Sequence, residues 1–303
     1  MKVLMISAVI IVLAAVAVFE MYREIHHFCI TRYEIKSSRL SGLRRETKIL
    51  FLSDLHNRIY GHDNQDLMQA VRDENPDLIL IGGDMLVGKE NVSFSTALNF
   101  VRQLPSVCRV FYVNGNHEGR MKESPDIYNG AYEEYRYFLK EAGVIFLENE
   151  ICDITLNGQE LSVCGLELPG CTYRKFHKSD INAGVIEKFL GVSSVKNRLK
   201  ADSDLKKNSC FTILLAHNPA YMNAYLDWGA DLILSGHLHG GLIRIPGLGG
   251  IITPQGFLFP KYSGEMTREG GQTVIVSRGL GSHTLNIRLF NTPELISITL
   301  VPE

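Results

Sequence analysis

Five short apolar runs, each closed by a cluster of Asp, Asn, His and Gly, constrain this chain more than any other feature. Lys48–Leu52 runs into Ser53-Asp54-Leu55-His56-Asn57, Leu78–Ile81 into Gly82-Gly83-Asp84, and Val110–Val113 into Asn114-Gly115-Asn116-His117-Glu118. Later, Phe211–Leu215 runs into Ala216-His217-Asn218-Pro219, and Asp231–Leu234 into Ser235-Gly236-His237-Leu238-His239-Gly240-Gly241. Continuous apolar runs of this length, bounded by turn residues, read as buried strands. Between them Asp63–Arg72, Phe94–Leu104 and Ala220–Trp228 carry helical spacing, with Leu67, Ala70 and Val71 on one face of the first. Strand and helix in alternation predict a parallel sheet covered by helices. In such sheets, sites form at the carboxyl ends of the strands, which is where the polar clusters fall.

The remaining elements are less regular. Tyr132–Ala142 and a stretch near Ile186–Leu190 read as helices. Tyr33–Lys36, Val144–Leu147 and Leu161–Leu166 read as strands, and Gln272–Val276, Ile287–Phe290 and Leu295–Leu300 as closing strands. Thr172–Asn208 is polar and weakly patterned, and Gly247–Tyr262 is a Gly/Pro-rich loop carrying Ile251, Ile252, Phe257, Leu258 and Phe259.

The 303 residues, 45% hydrophobic and 21% charged, suit a globular protein. A net charge of -2 gives no basic field to draw nucleic acid, and none is expected as a partner. Cys29, Cys108, Cys152, Cys164, Cys171 and Cys210 form no C-x-x-C pair, which favours thiols over a disulfide framework. Val3–Phe19 carries no charge. As a helix it spans about 26 Å, at the short end for a bilayer. Ala15-Val16-Ala17 offers a signal-cleavage pattern, but no polar region precedes it, so an uncleaved anchor is expected. Arg23, Arg32, Lys36 and Arg39 follow it against Lys2 before it, which places the domain on the cytoplasmic side of the cell membrane. The expected organisation is an anchor over 1–22, a juxtamembrane connector over 23–46 and a domain over 47–303.

The strand-end residues are Asp54, His56, Asp84, Asn116, His117, His217, His237 and His239. Carboxylate, imidazole and amide oxygen together suit Mn²⁺, Fe or Zn²⁺, and the lack of thiolate argues against a structural zinc. The set is too large for one ion and suits two, which can clamp the attacking and leaving oxygens of a phosphoryl displacement.

Asp-x-His, Gly-Asp, Gly-Asn-His-Glu, His and Gly-His-x-His, in that order, resemble the calcineurin-like metallophosphoesterases across about residues 48–241. Gly279-Leu280-Gly281 and Arg288-Leu289-Phe290-Asn291-Thr292-Pro293-Glu294-Leu295 are similar to the membrane-anchored bacterial branch with the YkuE and YaeI type proteins. The resemblance implies a four-layer α-β-β-α sandwich of two mixed sheets flanked by helices, preceded by an N-terminal transmembrane helix. It implies a metal-dependent phosphoric ester hydrolase with two divalent ions. Asp54, His56, Asp84 and His239 would hold the first, and Asp84, Asn116, His217 and His237 the second, with Asp84 bridging. A water between the ions would be acidified and attack phosphorus in line. His117 would be the catalytic residue beside the leaving oxygen, oriented by Glu118 or another carboxylate. Val87 stands where the family often has a second aspartate, which touches support of the ligands rather than the ligands. Asn57, Arg58 and Arg288 are candidate substrate contacts, and Asn218 a candidate support.

The implied substrate is a phosphodiester, pyrophosphate or phosphomonoester. An anchor favours a membrane-associated one, such as a nucleotide-linked lipid precursor of the UDP-diacylglucosamine kind, with the 247–262 loop against an acyl chain or packed under the closing strands. The rival readings are a tethered phosphodiesterase for soluble substrates and a non-catalytic metal-binding scaffold.

Overall fold

The computed structural model describes residues 2–193, 195, 210–241, 244–245, 249–282 and 288–302. In chain order the elements are α1 (Lys2–His26), β1 (Cys29–Lys36), β2 (Thr47–Leu52), α2 (Gln65–Glu74), β3 (Leu78–Ile81), α3 (Ser95–Val101), β4 (Arg109–Tyr112), α4 (Asn116–Glu123), α5 (Ala131–Glu141) and β5 (Val144–Phe146). There follow β6 (Glu150–Leu156), β7 (Gln159–Leu166), α6 (Ala183–Leu190), β8 (Phe211–Ala216), α7 (Met222–Trp228) and β9 (Leu232–Ser235). β10 (Arg244–Ile245), β11 (Gly249–Gly250), β12 (Met266–Glu269), β13 (Gln272–Val276) and β14 (Glu294–Val301) complete the described chain.

Two six-stranded mixed sheets result, ordered β1-β14-β2-β3-β4-β5 and β12-β13-β9-β8-β7-β6. β2 to β5 run parallel, as do β7, β8, β9 and β13, so the polar clusters leave both sheets at one edge. The side-chain period of two divides each strand between two cores. Ile49, Phe51, Leu78 and Leu80 face Ile213, Leu215, Leu232 and Leu234 between the sheets. Leu50, Leu52, Ile79 and Ile81 face outward beneath α2, α3 and α5 through Leu67, Phe100 and Tyr135. Leu214, Ile233 and Val274 meet α6 and α7 through Ile186, Tyr225 and Trp228. Both faces of both sheets are therefore apolar, which explains the near-continuous hydrophobic runs, and the architecture is the four-layer sandwich.

The structure departs from the sequence reading at several elements. α4 begins within the third polar cluster, at Asn116. Met121 is its one long apolar side chain, so it offers no apolar stripe to read. β6 and β12 are partly exposed outer strands, each paired antiparallel to one neighbour; Met266 is the one apolar residue of β12, and in β6 Ile151, Cys152, Ile154 and Leu156 are interleaved with Glu150, Asp153 and Thr155. The helix expected over Asp63–Arg72 runs Gln65–Glu74, because Asp63 and Asn64 take left-handed φ and form a turn. The strand expected over Ile287–Phe290 is corrected: Arg288 to Phe290 are irregular, and Ile287 lies outside the described residues. Within the stretch read as connector, the strand expected over Tyr33–Lys36 begins four residues earlier, at Cys29, and pairs with β14 along its whole length as an outer strand of the first sheet. Most of the 194–209 part of the weakly patterned stretch lies outside the described residues.

α1 is long and apolar enough to cross a membrane over Met5–His26, with mean hydropathy 2.3. By length and composition it fits a membrane span or an export signal. Cys29, Cys108, Cys152, Cys171 and Cys210 are free thiols.

Candidate metal centre

The ligand candidates gather where the two sheets meet. Three groups have donor atoms within 4.8 Å of one another: Asp54, His56 and His239; His56, Asp84 and His117; Asp84, His217 and His237. Asp54 Oδ1 lies 3.4 Å from His239 Nε2 and 3.9 Å from His56 Nε2, and Asp84 Oδ2 lies 3.2 Å from His217 Nε2. His56 Nε2 is 3.8 Å from Asp84 Oδ2, and His217 Nε2 is 3.9 Å from Asp54 Oδ1, so the outer groups share a border.

The local backbone explains the convergence. Asp54, His56, Asp84, His237 and His239 all have left-handed φ, between 48° and 67°. Such residues turn a strand end sharply and cost of order 1–3 kcal/mol each, sustained by the surrounding structure. The turns are pinned to one another: Asp54 N–H donates to Gly83 O at 2.9 Å, His56 N–H to Asp84 O at 3.0 Å, and Gly236 N–H to His217 O at 3.1 Å. Across the sheets, His237 N–H donates to the Asp54 carboxylate at 3.0 and 3.1 Å. Gly236 and Gly115 permit this closeness, since a Cβ at the first would overlap Ser53 Oγ and Asp54 Oδ2, and at the second the Asp84 carboxylate.

Hydrogen bonds set the ring faces. His217 Nδ1 meets Gly82 O at 2.6 Å and His239 Nδ1 meets Gly281 O at 3.0 Å. A carbonyl only accepts, so each Nδ1 carries a proton and each Nε2 faces the centre as a ligand atom. His117 is arranged oppositely. Gly88 N–H donates to its Nδ1 at 2.8 Å, so its neutral ring keeps the proton on Nε2.

Glu118 does not orient His117. It accepts from the N–H groups of Asp84 (2.8 Å), Met85 (2.9 Å) and Gly115 (3.0 Å) and from the Tyr112 hydroxyl (2.8 Å). Its helix position puts the carboxylate under the Gly-Asp turn, so it braces that turn and the start of α4. Burial, and then the charge of Asp84, pushes it up to about 7.

The centre is short of positive charge. Burial pushes Asp54 up to about 6. For His217, burial opposes protonation, but Asp84 and Asp54 outweigh it and push the ring up to about 10. Burial also opposes ionisation of Asp84, yet the charge of His217 holds it well below the usual carboxylate range. Asn116 Oδ1 is buried and accepts no hydrogen bond among the described residues. A buried amide oxygen in that state, beside buried carboxylates and inward-facing Nε2 atoms, fits divalent cations.

The three substrate-contact candidates are placed differently. Asn57 Nδ2 donates to Ser93 O at 3.0 Å, beside the centre and half-buried. Arg58 reaches away, its guanidinium on the Ile25 carbonyl at the end of α1. Arg288 is 2% exposed and donates to the carbonyls of Asn291 (3.0 Å), Arg278 (2.7 Å), Gly279 (3.3 Å) and Gly281 (2.5 Å). Four carbonyls occupy that guanidinium, and burial lowers it to about 10. It holds the loop whose Gly281 carbonyl orients His239, which corrects the expected phosphate contact. Asn218 is a turn residue, with Oδ1 on Ala220 N–H and Nδ2 on Thr172 O.

Sequence reasoning missed Ser53, whose hydroxyl donates to Asp54 Oδ2 at 2.5 Å, and Tyr173, whose ring lies edge-on to His237 at 5.1 Å. Ser53 precedes a ligand and was findable on that ground. Tyr173 sits in an unpatterned segment and gave no signal.

Residues 47–241 match the model of the calcineurin-like phosphoesterases. The chain is 27% identical to the metallophosphoesterase YkuE of Bacillus subtilis (strain 168), over 92% of this chain and 87% of that one. It is 27% identical to the phosphodiesterase YaeI of Escherichia coli (strain K12), over 84% and 82%. Among solved structures, the phosphopantetheinyl hydrolase of Mycobacterium tuberculosis is 17% identical, with a TM-score of 0.42 over 78% of this chain and 90% of that one.

Proposed function

The chain belongs to the calcineurin-like phosphoesterase family of metal-dependent phosphoric ester hydrolases, and from that premise we propose that it cleaves a membrane-associated phosphoester at a centre of two divalent ions. Asp54, His56, Asp84 and His239 would hold one ion, and Asp84, Asn116, His217 and His237 the other. The observation that carries this is the pair of ligand groups, each with buried carboxylate and imidazole donors within 4.8 Å, bordering one another through Asp84 and His56. When bound, the ions supply Lewis acidity, which makes water a nucleophile near neutral pH and offsets charge on phosphoryl oxygens. Mn²⁺, Fe and Zn²⁺ all suit the donor set. His117, with its proton on Nε2, donates a hydrogen bond to the leaving oxygen and stabilises the charge that develops there, and Gly88 N–H fixes the ring for that role. Asn57, tied to Ser93 O, orients a phosphoryl oxygen at the rim.

A lipid-linked diester or pyrophosphate is the favoured substrate class. α1 serves as a single-pass anchor over about residues 1–22, with the domain on the cytoplasmic side of the cell membrane. A cavity of about 360 Å³ lined by Met222, Leu238, Phe257, Pro260, Lys261 and Tyr262 adjoins the His-x-His turn. Leu238 lies between the two ligand imidazoles, so apolar surface and phosphoester chemistry share one turn. Leu258 and Phe259 are exposed on the same loop.

The test is a turnover screen of Mn²⁺-loaded protein on phosphomonoesters, diesters and nucleotide-diphospho lipids, each lipid paired with its deacylated form. Preference for the acylated form is expected. Equal rates on both forms would favour a tethered enzyme for soluble substrates, and no turnover anywhere from metal-replete protein would favour a scaffold.

A further inference from the structure

We propose that Glu24 and Asn291 are positioning residues through which the last turn of α1 holds the ligand group of Asp54, His56 and His239. The proposal rests on the two-ion reading above. Large apolar side chains of α1 from Met5 to Phe19 are exposed among the described residues, but Glu24 near its end is 2% exposed. The Glu24 carboxylate accepts the Asn291 N–H at 2.9 and 3.0 Å and the Thr292 hydroxyl at 3.2 Å. A carboxylate buried to that degree is retained only where such bonds replace water.

Asn291 passes the constraint onward. Its Nδ2 donates to the carbonyls of His239 at 2.5 Å and Gly241 at 3.3 Å, and its own carbonyl accepts from Arg288. His239 has a φ of 51°, a conformation that persists only when its surroundings over-determine it. Asn291 on the main chain and Gly281 on the ring supply that determination. Next to Glu24, the Ile25 carbonyl accepts from Arg58. Carbonyls in the last turn of a helix have no intrahelical donor, and a cation there also meets the negative end of the helix dipole. Arg58 lies two residues after His56.

Both imidazoles of one ligand group are thus carried on loops fastened to a single turn of α1. The other group is braced through Gly82 O on His217 and Asp54 on His237 N–H. Residues 24 and 25 therefore belong to the metal centre as much as to the apolar helix.

The test titrates the protein, α1 included, in detergent with Co²⁺, reading visible absorption and bound-metal stoichiometry. Glu24→Ala and Asn291→Ala should each weaken one of two sites by about ten- to a hundred-fold, the usual effect of removing support behind a ligand, and alter only that site's absorption. The double variant should be no weaker than the weaker single, because the two act in series. Glu24→Gln keeps one oxygen for the Asn291 N–H and should recover part of the affinity. Phe19→Ala, a change at an exposed position on the same helix, should match the parent. If Glu24→Ala does not fold, Asn291→Ala and Glu24→Gln carry the same comparison. Two unperturbed sites in these variants would overturn the proposal alone, as would equal weakening of both sites. Parent protein that binds no Co²⁺ would overturn the two-ion reading and this proposal with it.

Discussion

Asp84 stands between the two ligand groups. Its Oδ2 faces His217 at 3.2 Å and His56 at 3.8 Å, and its Oδ1 accepts the His117 N–H at 2.8 Å. Asp84→Ala should therefore remove both ions, and full metal stoichiometry in the purified variant would refute a bridging carboxylate. His117→Ala should keep its metal and lose turnover by about 10²–10³-fold, the usual worth of one hydrogen-bond donor placed on a developing oxyanion. Turnover equal to the parent would exclude His117 from that role. The residue types of this centre were legible in the sequence because each follows an apolar strand. The tautomers were not, since they are set by the carbonyls of Gly82 and Gly281 and the N–H of Gly88, groups that every residue possesses. Arg288 shows the same limit: its charge was visible, and the four carbonyls that engage it were not.

Among elements, the ends of β2 and β9 make the closest approach. Gly236→Ala would drive a methyl into Ser53 Oγ and Asp54 Oδ2. Overpacking of this kind costs about 1–3 kcal/mol, so the variant should melt lower and bind metal more weakly. A melting curve and metal content equal to the parent's would contradict that packing. A second tie joins α4, α5 and the end of β5 through Glu148, which accepts from Lys122 at 2.7 Å, Tyr132 at 2.8 Å and Arg136 at 3.0 and 2.5 Å. Burial works against the Glu148 charge, but these bonds outweigh it and hold its pKa down to about 2, against 4.5 for the unfolded chain. A lowered folded pKa contributes stability that is complete above about 4.5 and lost as pH falls through about 2. After solvent screening the contribution is on the order of 1–2 kcal/mol. Glu148→Gln should lower stability at neutral pH and flatten the acid limb between those values, measured by denaturant unfolding across pH; an unchanged limb would show the tie to be weak.

For the whole molecule, an occupied centre would also clasp the two sheets, since one candidate ligand group draws on β2 and β9 and the other on β3, β8 and β9. Ions that bind only the folded chain stabilise it by about 2.7 kcal/mol at a hundred times the dissociation constant. A domain of this size then gains several degrees in melting temperature. Chelation should reverse that gain and Mn²⁺ should restore it; a scanning calorimeter trace indifferent to verified metal removal would contradict the clasp. If residues 24 and 25 brace one ligand group, a chain begun at Cys29 should show a smaller metal-dependent gain than one begun at Lys2, even where both fold.

The sequence by itself determined the sheets, the edge at which the site forms and the residue types gathered there. Apolar runs such as Leu78–Ile81 can only be buried on both faces, and a parallel strand delivers whatever follows it to one edge. It also determined the apolar length of α1, because hydropathy needs no partner to be read. Tertiary structure alone decided how β1 joins the first sheet, why Glu118 braces the Asp84 turn, and how Glu24 comes to meet Asn291 across 267 positions of chain. Each of these depends on a backbone group or an outer strand supplied by a distant segment, and such partners carry no pattern of their own.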